Sequence, residues 1–204
     1  MKKIKLLVLI CLASLFVGCG SASNNDQGVS FTLLGFFADN KGETGLVGIP
    51  MSLSEMTGSE PSSPGKDNLL ISLGLLNGLT GQYIRLQRLY ISYDIPGASV
   101  AAPSTTFPLA VVIAPSGVSG SGVKTSLPTA ISGATGAGNP TYLEFSLVPA
   151  AIKQWLNFNR MYLPEAPFVI EATVVASGVT SAGDQLDSNP GTIMIYVSPD
   201  GQVG

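Results

Sequence analysis

From Val29 to Val197 the apolar runs of this chain are short, none longer than twelve residues, and most are closed by Gly, Pro, Asn or Asp. Runs of that length with turn residues at their ends build strands rather than long helices. Val29–Phe37 is the first, followed by the turn-rich ADNKGETG. Leu46–Leu53 is a weaker strand, because Pro50 removes a backbone donor from its centre. Leu69–Leu76 is continuously apolar and runs into Asn77-Gly78, the strongest short hairpin signal, so Gln82–Tyr93 is its expected return strand. Tyr83, Leu86, Tyr90 and Tyr93 also recur at helical spacing, yet Gly81 and Pro96 bracket the segment and Tyr and Ile enrich it, which favours strand. Phe107–Ala114, Phe168–Ala176 and Thr192–Val197 are further strands, and Val123–Leu127 is a candidate edge strand. In Tyr142–Val148 the set Leu143, Phe145, Leu147 is wholly apolar, as a half-buried strand requires.

One helix is expected, from Pro149 to about Phe158, with Ile152, Trp155 and Leu156 on one face and Trp155 as a core plug. Glu55–Lys66 reads as loop. Seven to nine strands and one short helix predict an all-β fold, a β-sandwich in a single domain over residues 29–204. The Cys…Trp…Cys mark of antibody domains is absent. Pro164-Glu165-Ala166-Pro167-Phe168, then Gly178–Asp184, then a final strand resemble the closing strands of immunoglobulin-like bacterial surface modules. That resemblance implies an immunoglobulin-like sandwich whose last two strands form a hairpin.

Composition removes whole classes of chemistry. There is no His, so no Ser-His-Asp triad, no imidazole ligand and no His acid or base. Ten Lys and Arg against thirteen Asp and Glu give a net charge of −3, which provides no electrostatic footprint for nucleic acid.

Lys2, Lys3 and Lys5 precede an apolar run from Leu6 to Val17, too short to span a bilayer and suited to the core of an export signal. Leu15-Phe16-Val17-Gly18-Cys19 resembles a bacterial lipobox. The resemblance implies a lipoprotein signal over 1–18 and Cys19 as the lipidated residue, with the membrane as a partner through its acyl chains. Gly20, rather than Asp, follows the cysteine, which in enteric bacteria favours the outer membrane. Residues 19–28 form the lipidated tether; its Gly20–Gly28 portion is small and polar and reaches at most about 30 Å when extended. Loss of the three signal lysines leaves seven cations against thirteen acids, a net charge of −6. Cys11 leaves with the signal and Cys19 is acylated, so no thiol chemistry, disulfide or Cys-based metal site is expected.

The remaining motifs are weak. Ser121-Gly-Val-Lys124 has the S-x-x-K spacing of serine acyltransferases, but glycines surround it where a helix start is needed. Gly133–Gly138 and Gly117–Gly122 lack the lysine of a phosphate loop. Asp184, Asp187 and Asn189, and separately Asp39, Asn40 and Glu43, are the candidates for calcium; neither set has EF-hand spacing, and both residue types are ordinary in turns. Glu144 and Glu171 fall inside strands and are candidate carboxylates for hydrolysis, with a solvated face as the simpler account of Glu144. Arg85 and Arg88 fall on opposite faces at strand spacing. The reading is therefore a non-catalytic envelope lipoprotein with no cofactor, serving structure or protein interaction. The alternatives are a glycan- or calcium-binding module, the former drawing on Tyr83, Tyr90, Tyr93 and Tyr162, and a carboxylate-based hydrolase.

Overall fold

The computed structural model describes residues 30–38, 44–57, 69–115 and 140–200. Cys19, the expected signal and tether, Asp39, Asn40, Glu43, the candidate strand 123–127, Ser121–Lys124 and the glycine runs lie outside the described residues. The fold is all-β. Its strands are β1 (Phe31–Phe37), β2 (Gly45–Leu46), β3 (Gly48–Ser52), β4 (Leu70–Asn77), β5 (Ile84–Asp94), β6 (Thr105–Ile113), β7 (Thr141–Ser146), β8 (Phe168–Thr180), β9 (Gln185–Asp187) and β10 (Gly191–Ser198). Among the described residues there are also two short helices, α1 (Leu53–Thr57) and α2 (Ala150–Phe158), and a 3₁₀ turn at Arg160–Tyr162.

The strands form two sheets. The first has the order β2-β1-β4-β7 and the second β3-β10-β8-β5-β6, with β9 paired to β8. Neighbours are antiparallel except β3, which runs parallel to β10. Phe31, Leu33, Leu73 and Leu143 from the first sheet and Leu86, Ile91, Val174 and Ile195 from the second belong to one buried core. The expected hairpin of the last two strands is present, since β10 and β9 both return along β8. β8 alternates buried and half-buried residues along all thirteen positions.

The Asn77-Gly78 hairpin is not formed. β4 belongs to the first sheet and β5 to the second, so the segment between them is an arch that crosses the core. Asn77 explains the difference. Its Nδ2 donates to the carbonyls of Gln82 (2.8 Å) and Ile113 (3.3 Å), and its Oδ1 accepts from Leu79 N–H (2.9 Å). A side chain that is only 2% exposed therefore ties the end of β4 to the start of β5 and the end of β6. A two-residue hairpin turn would instead have exposed it to water.

Two β-bulges set the phase of burial. In β1 the register shifts between Leu33 and Gly35, so Leu33 and Phe36 are both buried while Leu34 is exposed. Gly35 sits at φ +145°, which side-chain-bearing residues rarely adopt. In β5 the register shifts between Leu86 and Arg88 against both β6 and β8. Leu86 and Leu89 are buried, and Gln87 and Arg88 are both exposed. Arg85 and Arg88 accordingly share the outer face, which corrects the expectation of opposite faces: the extra residue restores the parity that strict alternation would break.

The pole where β3, β7 and β10 end is closed by the helices. Ser52 starts α1 with a capping box: its Oγ accepts from Glu55 N–H (3.1 Å), and Glu55 Oε2 accepts from Ser52 N–H (2.9 Å). Met56 of α1 and Ile152 and Leu156 of α2 are buried, and Trp155 packs partly buried against the core, as expected for a plug. At Glu55–Thr57 the expected loop is therefore helix.

Asn189, between β9 and β10, ties the second sheet to β1. It accepts from Leu33 N–H at 2.8 Å and donates to Leu33 C=O at 3.1 Å, which supplies both bonds of a missing ladder rung beside the bulge. Asn189→Ala is expected to cost about 1–3 kcal/mol, because both Leu33 backbone groups lose a partner. Urea denaturation measures it, and an unchanged midpoint would refute the clamp.

Candidate functional site

The outer face of the second sheet collects more chemically capable side chains than any other described surface. Cross-strand register orders it into rows. At one end Tyr196 of β10 stands beside Val169 of β8 and Pro50 of β3. The next row brings Asp94 of β5 directly opposite Glu171 of β8, with Met194 on the other side of Glu171. Ser92, Thr173 and Thr192 follow, and the two threonine hydroxyls are hydrogen bonded at 3.0 Å. Tyr90 lies between Val175 and Thr106, then Arg88 between Ser177 and Pro108, then Arg85 between Val179 and Val112. Acids thus gather at one end of the face and cations at the other.

Opposed residues of this kind have Cβ atoms about 4.5–5.5 Å apart, and like charges in that position repel. Asp94 and Glu171 are such a pair, and neither has a cation as its register neighbour. They lie side by side on the outer face of a sheet. Glu144 and Glu171, the two strand carboxylates singled out from sequence, are not brought together: Glu144 sits on the outer side of the first sheet, opposite Ser72, and Glu171 on the outer side of the second.

The tyrosines do not form one cluster. Tyr83, Tyr90 and Tyr162 are exposed, but Tyr83 and Tyr90 are on the order of 20 Å apart along one strand. Tyr162 lies near the opposite pole, where its carbonyl accepts from Ser99 N–H. Tyr93 is in the core, 7% exposed, and its hydroxyl donates to Leu147 C=O at 2.8 Å, which links the second sheet to the segment leaving β7.

The acidic turn after β8 is organised by its own backbone. Thr180 Oγ1 accepts from the N–H groups of Ala182 and Asp184, and Gly183 takes φ +97°. Asp184 and Asp187 are exposed on this hairpin, and Asn189 is committed to Leu33. Among the described residues no group of three or more Cys, Asp or Glu is placed to hold a metal ion.

A surface that sequence reasoning missed lies at the end of α2. Phe158 is 75% exposed, Met161 81% and Tyr162 47%. The periodicity that placed Ile152, Trp155 and Leu156 inward also left Phe158 off that face. The 3₁₀ turn then carries Met161 and Tyr162 on three and four positions from Phe158, at the spacing of helical neighbours. Among the described residues no helix is long and apolar enough to cross a membrane. No family model matches the chain, and no curated protein is detectably similar to it.

Burial raises the pKa of the Tyr93 phenol above its ordinary value of about 10. Above that pH the unfolded chain loses the proton while the folded chain retains it, so stability falls as pH rises, by up to about 1.4 kcal/mol per unit from this group. Tyr93→Phe is expected to flatten the decline between pH 10 and 11 while lowering stability near neutrality by about 1–2 kcal/mol, through the unpartnered Leu147 carbonyl. Denaturation curves across that range test it; parallel declines would refute the assignment.

Proposed function

We propose that this chain is a lipid-anchored lipoprotein of the bacterial cell envelope, attached through Cys19 on the outer-membrane side. Its single β domain works as a structural or protein-interaction module without catalysis. The domain is an immunoglobulin-like sandwich in architecture. Support for that label is the central order β5-β8-β10, which repeats the C-F-G order of immunoglobulin-type sandwiches, with β1 and β4 in the facing sheet.

The observation that carries the interaction reading is the exposed corner of Phe158, Met161 and Tyr162. Contiguous exposed apolar side chains are costly in water and mark contact sites, and aromatic residues and Met are enriched at protein interfaces. The hydrolase alternative has less support, because Glu144 and Glu171 face away from each other and Asp94 and Glu171 lie side by side on the outer face of one sheet. The glycan alternative has less support because the tyrosines are dispersed.

Two measurements test the proposal. Fatty-acid labelling in cells is expected to mark the wild-type chain and not Cys19→Ser; an unlabelled wild type would remove the anchor. A photo-crosslinking residue at position 158 is expected to give a discrete protein adduct in intact cells. The Phe158→Ser/Met161→Ser variant should lose competition for that adduct while keeping its melting temperature. No adduct would sink the interaction reading.

A further inference from the structure

We propose that the outer face of the second sheet is a two-fold interface between two copies of this chain. The argument begins with β5. Beyond the bulge its outward residues follow strict alternation: Arg88, Tyr90, Ser92 and Asp94. A cation begins the series and an acid ends it, and Ile91 is its midpoint.

Two such faces can meet around a two-fold axis that lies between them and runs across the strands at Ile91. Each position then meets the one equally far beyond the midpoint. Arg88 meets Asp94 of the other copy, and Asp94 meets the other Arg88. Tyr90 meets Ser92. The same axis passes β8 at Val174, the register partner of Ile91, so Glu171 meets Ser177, which stands next to the other copy's Arg88. A self-complementary patch is what a two-fold interface requires.

The charges lack this complement within their own sheet. The register neighbours of Arg88 are Pro108 and Ser177, and those of Asp94 and Glu171 include each other. Repulsion between Asp94 and Glu171 is relieved when a guanidinium arrives from outside. The area is also adequate. The axis brings β5, β8 and the line of β9 and β10 against their copies; three strand positions spaced about 4.8 Å apart, and up to thirteen residues long, span on the order of 14 by 40 Å, or roughly 550 Å² on each copy, near the lower limit for a specific interface. Tyr90, Val175, Thr173 and Ser92 form its centre.

This inference names a partner for the interaction module and rests on that reading, but it uses a different surface from the Phe158 corner. Sedimentation equilibrium of the full-length chain in detergent tests it. The wild type is expected to be dimeric at micromolar concentration, and the dimer to weaken as salt is added. Arg88→Asp and Asp94→Arg should each weaken dimerisation at least about tenfold, since each places like charges in contact. An equimolar mixture of the two variants should form the heterodimer, and the Arg88→Asp/Asp94→Arg double variant should recover the homodimer. A monomeric wild type overturns the proposal, as does a dimer indifferent to salt and to both reversals. Should one variant fail to fold, the wild-type salt titration decides alone. Loss of the dimer leaves the position-158 adduct unaffected, so the two readings fail separately.

Discussion

The parity of the two bulges governs which side chains this protein hides and which it shows. A strand exposes every second residue, and one inserted residue exchanges the two sets from that point on. Upstream of Gln87 the even-numbered residues Ile84 and Leu86 are inward; downstream the odd-numbered Leu89, Ile91 and Tyr93 are inward. Without the shift, Arg88 and Asp94 would enter the core and Leu89 and Ile91 would face water. Leu34 performs the same exchange in β1, and there Asn189 bonds both backbone groups of Leu33, the residue before the bulge. Each bulge is therefore compensated, by two flanking strands in β5 and by an amide side chain in β1.

Much of the strand content was legible from the sequence because most strands lie in runs closed by turn residues. β8 and β10 were the plainest, since their alternating and β-branched residues carry one message. The segment of β5 was harder for a reason the structure makes physical. The helical spacing of Tyr83, Leu86, Tyr90 and Tyr93 marks no single face, since Leu86 and Tyr93 are buried and Tyr83 and Tyr90 exposed, while the bulge puts the inward Leu86 and Leu89 three positions apart. Asn77-Gly78 misled because a positive-φ dipeptide signals a turn without saying whether the turn joins neighbours in one sheet or strands of facing sheets. That choice rests on where the Asn77 amide finds acceptors, at Gln82 and Ile113, which are distant facts for a local reading. The helix α1 was readable and unread: Ser52-Leu-Ser-Glu55 is a capping box.

The candidate sites were less legible than the fold. Chemistry-bearing residues were identified by type, but the side of a sheet on which each lies depends on register and bulges. Glu144 and Glu171 look equivalent in sequence and lie on opposite outer surfaces. Arg85 and Arg88 look opposed and share one. The exposed Phe158 and Met161 carry no motif, and only the end of α2 and the turn into the 3₁₀ segment turn them outward.

The paucity of reactive groups then takes on a positive meaning. A chain with no His and few cations has little with which to specify a surface except backbone register and a handful of charges. On β5 those charges occupy the two ends of one alternating series, and that series faces outward rather than into the core only because Gln87 shifts the phase. A bulge that served packing alone could sit anywhere that spares a charged residue from burial. Placed directly before Arg88, it turns outward a series in which a cation and an acid six residues apart flank a neutral Tyr-Ser pair. The residue that keeps the core apolar is thus the same residue that gives the outer face its polarity, and fold and recognition share a single backbone irregularity.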